Sequence, residues 1–381
     1  MELDKDLVSI QEARTLSQAA RAAQLTWAKA SQEDVDRVCA AMAEAAFRAA
    51  ERLGRMAHEE TGFGVPAHKK LKNEFASRFI WESIRPVKTV GIINHDSLRR
   101  VYEIAWPMGV IAALTPSTNP TSTVMAKILT AVKARNAVVV APHPSAAKCS
   151  YATARLMADA AEAQGAPPGL ISCMQTVTLP GTQELMHHRY VALILATGGS
   201  DMVRAAHSVG KPAYGVGPGN VPVYVDRSAD LEQAARYIVY SKAFDCSTIC
   251  ATEQAVIADQ PIAVRLAELM EQNGAYFVDE NQAAALRKTL FFPDGSINAA
   301  TVGKSPQYLA GLAGIDIPDH ARILVARLNK IGKEEPLSRE KLTTVLGWYV
   351  ANGWEEGCER SIEMIQFGGR GHTQVIHATD E

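Results

Sequence analysis

A regular alternation of short apolar runs and amphipathic stretches between residues 110 and 226 is the feature that most restricts how this chain can fold. The apolar runs are 110–114, 137–140, 170–174, 191–196 and 220–225, and the helical stretches among them are 121–133, 146–164 and 202–208. Strands alternating with helices predict a mostly parallel β-sheet that is covered by helices on both faces. Ligands of such sheets bind beyond the carboxyl ends of the strands, so polar residues at those ends are the first candidates for a binding site.

The sequence before this alternation predicts helices and one hairpin. Residues 8–58 are rich in alanine with a helical periodicity, and Ser31 followed by Asp34 is typical of a helix start. A further helix is predicted at about 66–84. Residues 86–106 alternate apolar and polar side chains, which predicts a β-hairpin.

Composition restricts the class of protein. A length of 381 residues with 47% hydrophobic residues suits two domains or one large α/β unit. The 39 basic and 41 acidic side chains give no electrostatic reason to expect nucleic acid or an acidic membrane surface as a partner. No apolar run reaches the roughly 18 residues of a membrane helix. The first residues lack an apolar signal core, and the six cysteines are irregularly spaced. We therefore expect a reduced, cytoplasmic protein without a membrane or nucleic-acid partner.

Three of the predicted strands end in motifs that could contact a ligand. Residues 115–119 follow the first strand, and the Asn119 side chain could donate to a developing oxyanion or simply occupy a turn before proline. His143, between two prolines after the second strand, could point at a ligand or be solvated. Residues 197–200 (Thr-Gly-Gly-Ser) precede a helix, where free backbone N–H groups bind phosphate, although they also suit a tight turn.

Cys250 lies in a turn-rich segment between a predicted helix at 231–242 and a predicted buried strand at 255–258. Loops held by rigid elements often carry catalytic side chains, whereas most free cysteines are small buried hydrophobic residues. A second cysteine, Cys246, lies in the same segment. A zinc site at the two cysteines is excluded by count, because structural zinc needs four ligands and no His or Cys pair nearby completes the set.

The glycine-rich segment 215–220 (Gly-Val-Gly-Pro-Gly-Asn) is not a dinucleotide-binding fingerprint, because it lacks the G-x-G-x-x-G spacing and precedes a strand. The more informative feature is a lack of carboxylates. No Asp or Glu lies between Asp201 and Asp226. This segment therefore offers no side chain that could activate a water molecule as a general base.

Several motifs occur in one order along the chain and carry a family resemblance. They are residues 115–123, 196–199, 215–222, 244–245 with 249–254, 340–342 and 368–373. Together they resemble the CoA-acylating branch of the aldehyde dehydrogenase superfamily, including the acylating half of bifunctional aldehyde–alcohol dehydrogenases, from about residue 55 to the C-terminus. The resemblance implies an aldehyde dehydrogenase-like α/β fold. Its two parts would be a Rossmann-like parallel-sheet cofactor domain at 1–236, with a hairpin at 86–106 for contacts in a homo-oligomer, and a catalytic α/β domain at 237–381.

The same resemblance implies roles for individual residues. Cys250 matches the family nucleophile, whereas Cys246 matches a position that the family fills with other small or polar residues. Asn119 and the backbone N–H of Cys250 would stabilise the oxyanion. His372 would assist CoA or proton transfer, unless it is a structural histidine.

The resemblance also implies a bound NAD or NADP, and no metal. The cofactor contacts would be Thr115, Pro116, His143 and Pro144 on the adenosine side, Thr197, Gly198, Gly199 and Ser200 at the pyrophosphate, Gly217, and Glu340 at the nicotinamide ribose. Glu340 could equally be a surface charge in a polar stretch.

The reaction implied is conversion of a short aldehyde, CoA and NAD(P)+ to acyl-CoA and NAD(P)H. The Cys250 thiolate would attack the aldehyde, and loss of hydride would leave a thioester. Because residues 202–225 contain no carboxylate, this thioester would persist until CoA arrives. Within the family, the chain most resembles stand-alone acylating sulfoacetaldehyde dehydrogenases, so sulfoacetaldehyde is the expected substrate, with acetaldehyde and succinic semialdehyde as rivals. The alternatives are a hydrolytic aldehyde dehydrogenase and a non-catalytic scaffold.

Family members usually continue for several dozen residues beyond the Gly-His-Thr motif that ends at Thr373. On the resemblance, the chain that ends at Glu381 is expected to be incomplete or truncated.

Overall fold

The computed structural model describes residues 4–380 and divides into two compact units. The first unit comprises Met1–Gly62 and Pro66–Val216, and the second comprises Phe63–Val65 and Gly217–Glu381. The predicted α/β fold is confirmed, since both units contain a parallel sheet flanked by helices. The division at Val216/Gly217 comes before the predicted boundary at 236/237, because the strand that follows it pairs with strands of the second unit.

The helices of the first unit are α1 (Lys5–Trp27), α2 (Gln32–Arg48), α3 (Ala50–Thr61), α4 (Pro66–Glu74), α5 (Ile80–Ile84), α6 (Pro120–Lys133), α7 (Ala147–Glu162), α8 (Leu179–His187) and α9 (Ser200–Ser208). Its strands are β1 (Gly91–Asp96), β2 (Val101–Ala105), β3 (Val110–Thr115), β4 (Ala137–Pro142), β5 (Ile171–Cys173), β6 (Val191–Thr197) and β7 (Ala213–Val216).

The main sheet of the first unit has the order β5-β4-β3-β6-β7, with all neighbours parallel. The central strands β3 and β4 are buried at every position. Strands that are covered on both faces consist of continuous runs of β-branched and aliphatic residues. These runs made the strands recognisable in the sequence. Each predicted strand up to residue 196 is confirmed within two residues or so of its predicted bounds.

Helix caps of the N-terminal region follow the sequence. Ser31 and Asp34 form the predicted capping box at the start of α2, in which each side chain bonds the backbone N–H of the other residue. Trp27, at the end of α1, donates its indole N–H to the carbonyl of Val132 over 3.2 Å and so ties α1 to the end of α6. The predicted helix at 66–84 is confirmed, but its middle, Phe75–Phe79, is a π-helix between α4 and α5.

The predicted hairpin is also confirmed, as the antiparallel pair β1–β2. It forms a two-stranded sheet separate from the main one. His95 and Tyr102 stack across it with ring centroids 4.1 Å apart. Ile92 and Ile104 lie opposite each other and are both about half exposed.

The helices of the second unit are α10 (Leu231–Ala243), α11 (Ala263–Gln272), α12 (Glu280–Leu290), α13 (Pro306–Ala313) and α14 (Trp354–Phe367). Its strands are β8 (Val221–Val225), β9 (Glu253–Asp259), β10 (Ala275–Val278), β11 (Ile323–Arg327), β12 (Val345–Ala351) and β13 (Val375–His377).

The second sheet explains where the chain divides. Its order is β10-β11-β12-β9-β8-β13, and all neighbours are parallel. The run predicted at 220–225 as a strand of the first sheet is β8, which pairs with β9 and β13 instead. Because β8 belongs to this sheet, the chain enters the second unit before β8 and not after it.

Between residues 4 and 380, no helix is long and apolar enough to cross a membrane. Over the same range, no three side chains of His, Cys, Asp or Glu are grouped as a bound metal ion would require.

Candidate active site

The turn that carries Cys250 joins α10 to β9 in the second unit. A short turn, Phe244–Ser247, follows α10, and within it Asp245, Cys246 and Ser247 have positive φ angles of 48°, 51° and 63°. The turn closes through two backbone bonds, from Thr248 N–H to the Asp245 carbonyl and from Thr252 N–H to the Ile249 carbonyl. Cys250 is partly exposed, whereas Cys246 is buried.

Gly219 is the point at which three of the predicted site residues meet. A methyl group added to its Cα would lie 2.0 Å from the carbonyl oxygen of Cys250 and 3.0 Å from Cε1 of His372. The backbone N–H of Gly219 donates to Oε1 of Glu340 over 2.8 Å. The structure therefore brings Cys250, His372 and Glu340 together around one glycine, and only a residue without a side chain permits this close approach.

Glu340 is not a freely solvated surface charge. Burial raises the pKa of its carboxyl group to about 7, although the Gly219 N–H and the charges of Lys242 and Lys341 act in the opposite direction. Near neutral pH this carboxyl group therefore exchanges between an acceptor-only carboxylate and a protonated form that can also donate.

His372 is held so that one ring nitrogen is buried without a partner. Its Nδ1 lies 2.9 Å from the hydroxyl of Thr373. Its buried Nε2 makes no hydrogen bond within the part of the chain that the structure describes. Burial lowers the pKa of the ring, so the neutral form predominates at pH 7. When Nδ1 carries the proton and donates to Thr373, Nε2 presents a lone pair that can accept a proton.

Two buried lysines, Lys242 and Lys341, lie near Glu340, and sequence reasoning did not predict them. Nζ of Lys242 lies 3.2 Å from Oε1 of Gln254, and burial lowers the pKa of Lys242 to about 7. Nζ of Lys341 donates to the carbonyls of Gln254, Leu337 and Arg339. Burial lowers the pKa of Lys341 well below its ordinary value. Gln254 thus links the Cys250 turn to the segment that carries Glu340.

The glycines of the 368–373 motif have a packing role. A methyl group on Gly369 would lie 2.5 Å from the backbone nitrogen of Asn220. The side-chain N–H groups of buried Asn220 donate to the carbonyls of Ser338 and Met364, each over 3.0 Å. The motif therefore fixes the segment around Gly219, and with it the place of His372.

In the first unit, α4 holds the loop that follows β3. Nζ of Lys69 donates to the carbonyl of Thr118 over 3.2 Å, and Nζ of Lys72 donates to Oδ1 of Asn119 over 2.5 Å. Oγ1 of Thr121 donates to Oδ1 of Asn73 over 2.7 Å. Nδ2 of Asn119 donates to Oγ1 of Thr118 over 3.3 Å, and an amide N–H₂ group carries two donor hydrogens. The role of Asn119 stays a prediction.

Other predicted cofactor residues also lie at the carboxyl ends of this sheet. The backbone N–H of His143 donates to the carbonyl of Thr115 over 3.0 Å, so the pairing of β3 and β4 extends to His143, next to Pro144. Nδ1 of exposed His143 lies 2.7 Å from the Ser145 hydroxyl. Partial desolvation of the ring lowers the pKa of His143, which favours its neutral form.

Lys127 is a residue at these strand ends that sequence reasoning missed. Its Nζ donates to the carbonyls of Leu114 and Leu195, at 2.6 and 2.8 Å, near the ends of β3 and β6. Burial lowers its pKa to about 7. A lysine in an amphipathic helix gives no signal of such a position, because long side chains on a helix usually reach solvent.

The turn from Thr197 to Ser200 is the predicted pyrophosphate site, and this role stays a prediction. Gly198 donates its N–H to the Val216 carbonyl, and Ser200 begins α9. Gly199 has an ordinary φ of −65°, and an added methyl group would meet no atom within 4 Å. Neither backbone nor packing therefore requires glycine there. An added methyl group at Gly217 would likewise meet no atom within 4 Å. A remaining reason for glycine at the start of a helix is that a ligand can approach the backbone closely there.

Comparison with known proteins agrees with this geometry. The aldehyde dehydrogenase family model matches residues 7–278. The chain is 42% identical over 359 residues to aldehyde-alcohol dehydrogenase 2 of Entamoeba histolytica, covering 92% of this chain and 41% of the relative. It is 33% identical over 368 residues to a sulfoacetaldehyde dehydrogenase of Acholeplasma sp., covering 95% of this chain and 75% of the relative.

Two solved structures are similar over nearly the whole chain. An acetylating aldehyde dehydrogenase from Geobacillus thermoglucosidasius is 50% identical with a TM-score of 0.97, covering 100% of this chain and 84% of that one. A propionaldehyde dehydrogenase from Rhodopseudomonas palustris, solved with bound CoA and an acylated cysteine, is 30% identical with a TM-score of 0.84, covering 97% of this chain and 83% of that one.

The chain belongs to the aldehyde dehydrogenase family. It spans about two fifths of the length of the curated aldehyde–alcohol dehydrogenases that it matches.

Proposed function

We propose that this protein is a CoA-acylating aldehyde dehydrogenase that converts a short aldehyde, CoA and NAD(P)+ to acyl-CoA and NAD(P)H. The observation that carries the proposal is the convergence of Cys250, His372 and Glu340 on Gly219, in a segment that supplies no carboxylate of its own. The relatives add support, since the Geobacillus enzyme is named acetylating and the Rhodopseudomonas enzyme was solved with CoA and an acylated cysteine.

In the proposed reaction, Sγ of Cys250 forms a bond to the aldehyde carbon, and the carbonyl oxygen becomes an oxyanion. Residues 197–200 would hold the pyrophosphate of NAD(P)+, and the bound nicotinamide would supply the acceptor for the hydride that leaves this carbon when the carbonyl re-forms. Cys250 then holds the acyl group as a thioester. His372, neutral at pH 7, takes the proton of the CoA thiol at Nε2, and the CoA sulfur displaces Sγ of Cys250 to give acyl-CoA.

Hydrolysis is the competing function, and one observation favours it. Glu340 reaches the Gly219 backbone from a distant part of the sequence and has a pKa of about 7, which suits a general base. However, one of its oxygens already accepts the Gly219 N–H. In our proposal Glu340 accepts hydrogen bonds from the cofactor ribose, and no water is activated.

The test is to measure reduced nicotinamide and acyl-CoA formed from acetaldehyde with and without CoA. We expect a burst of at most one equivalent of reduced cofactor per protein without CoA and sustained turnover with it. Cys250→Ser should abolish both, because a hydroxyl is far less ionised than a thiol at neutral pH. Cys246→Ser is the matched control and should keep the burst. Sustained production of free acid without CoA would replace this proposal with hydrolysis.

The preferred aldehyde is proposed to be acetaldehyde or another short aldehyde of similar size. Support comes from the 50% identical acetylating enzyme, whereas the sulfoacetaldehyde dehydrogenase is 33% identical. The sequence-based preference for sulfoacetaldehyde therefore has weaker support than its rival. Comparing kcat/KM for acetaldehyde, sulfoacetaldehyde and succinic semialdehyde tests the order, and a higher value for sulfoacetaldehyde would reverse it.

A further inference from the structure

Three successive residues before the nucleophile turn adopt a backbone conformation that side chains disfavour. Asp245, Cys246 and Ser247 have φ angles of 48°, 51° and 63°, in the left-handed region. Residues other than glycine rarely adopt this region, and almost never three in a row, because Cβ approaches the following carbonyl. Such a segment persists only where its surroundings impose it.

The Asp245 side chain supplies two of the contacts that impose this conformation. It is fully buried, and its Oδ1 accepts the backbone N–H of Val65 over 2.6 Å. Its Oδ2 accepts the hydroxyl of Thr248 over 2.6 Å, while the same hydroxyl lies 3.1 Å from the Asp245 carbonyl. The carboxylate therefore joins both ends of the left-handed segment to a fixed backbone group.

The backbone group is fixed by two glycines of the second unit. A methyl group on Gly64 would lie 2.1 Å from Oδ1 of Asp245, so Gly64 admits the carboxylate. Gly64 donates its N–H to the carbonyl of Gly303 over 3.0 Å, and Gly303 donates to the carbonyl of Leu342 over 2.8 Å. A methyl group on Gly303 would lie 2.8 Å from Cγ2 of Thr248. Residues 64–65 and Gly303 are thus packed on the segment that leads to Cys250, and Leu342 holds Gly303.

We propose that Asp245 is a positioning residue for the nucleophile, which holds the segment before Cys250 in its left-handed form and so sets the place of the sulfur. The proposal rests on the proposed function, in which Cys250 is the attacking group. In this proposal Asp245 acts on the reacting atoms through the shape and the hydrogen bonds of the segment before Cys250. The role proposed for Asp245 does not depend on its charge, so asparagine, which is uncharged and has the same shape, should substitute for it.

The test compares Asp245→Ala, Asp245→Asn and Thr248→Val in the full-length protein. The readouts are the rate of the first burst of reduced nicotinamide, the Kd for NAD(P)+, and the pH profile of Cys250 alkylation by iodoacetamide. We expect Asp245→Ala to slow the burst by on the order of tenfold or more, since a displaced reacting group costs rate steeply. The Kd for NAD(P)+ and the midpoint of the alkylation profile should stay unchanged. Asp245→Asn should keep the burst within about threefold of the unaltered protein, because the amide still accepts from Val65 and bonds Thr248.

A matched control is Asp259→Asn, which alters another fully buried carboxylate, paired with Arg227 at the far end of β9. It should lower thermal stability and leave the burst rate unchanged. An unchanged burst in Asp245→Ala, or an equal loss in Asp245→Asn, would overturn the proposal. If Asp245→Ala does not fold, a burst in Thr248→Val that is not slowed would overturn it as well. Failure of the proposed function is seen separately, as a burst that survives in Cys250→Ser.

Discussion

At the scale of single residues, the site combines side chains that burial has moved away from their ordinary ionisation. The carboxyl group of Glu340 and the ammonium group of Lys242 both have pKa values of about 7, from opposite directions. Burial disfavours the charged form of each, which raises the first and lowers the second. Small changes in the surroundings can therefore change the protonation of this group near neutral pH.

Glu340→Gln should change how stability depends on pH. Because burial raises the pKa of Glu340 from 4.5 to about 7, the folded protein keeps a proton in this window that the unfolded chain releases. This group therefore makes stability fall as pH rises from 4.5 to 7. Relative to the unaltered protein, the variant should gain on the order of 2 kcal/mol of unfolding free energy over that window.

Urea unfolding of both proteins at several pH values measures this difference. The lowered pKa of Lys242 acts in the window above 7, where the unfolded chain holds the proton, and so does not mask the effect. A difference in stability between the two proteins that does not change with pH would contradict the prediction.

Individual site residues were only partly predictable from sequence. Family motifs named Cys250, Glu340 and His372, and the structure brings these three together around Gly219. The burial of Lys341 was not predictable from the sequence. Its ammonium group donates to three backbone carbonyls from different positions, and these come together only in the folded protein. Asp245 stood in one of the family motifs, but its bond to Val65 was not predictable, since the two residues are 180 positions apart in the sequence.

At the scale of elements, the strands were predictable and their sheet membership was not. A buried parallel strand is an apolar run wherever it lies, so β8 looked like a strand of the first sheet. Its pairing with β9 and β13 depends on segments later in the chain, which the run itself does not encode. The π-helix at Phe75–Phe79 also left no trace in the helical pattern.

The hairpin β1–β2 is the element for which we predict a role in self-association. Its apolar side chains Ile92 and Ile104 pair across the strands and are 48% and 60% exposed, which is unusual for a short isolated sheet. Replacing both with lysine should convert a homo-oligomer to smaller species, because charges are disfavoured in an interface core.

Light scattering of the purified double variant gives its mass in solution. Leu98→Lys is the matched control, since Leu98 lies in the turn of the hairpin and is 96% exposed. It should leave the mass unchanged. An unaltered mass for the double variant would show that the hairpin does not hold the assembly.

At the scale of the whole molecule, each unit has its own apolar core around its own sheet. Val223 of β8 is fully buried in a core of the second unit, beside Val256 of β9. Val223→Ala should lower the free energy of unfolding by about 2 kcal/mol, through lost burial and a small cavity.

Hydrogen exchange followed by mass spectrometry tests which strands lose stability in Val223→Ala. Exchange should quicken in β8, β9 and β13, which share backbone hydrogen bonds. The strands β3, β4 and β6 should keep their protection. Faster exchange in β3, β4 and β6, with unchanged exchange in β9, would indicate that β8 belongs to the first sheet, as the sequence alone predicted.

The bond from Val65 to Asp245 also bears on how the protein is made. Phe63–Val65 leaves the ribosome long before Asp245 does, because 180 positions separate the bonded pair. During synthesis the earlier residues of a chain usually fold first, and contacts between distant positions form slowly. The bond between Val65 and Asp245 can form only after Asp245 has been synthesised, when Val65 is already part of the nascent chain. Under the proposed function, we therefore expect the nucleophile Cys250 to reach its final geometry late in biosynthesis.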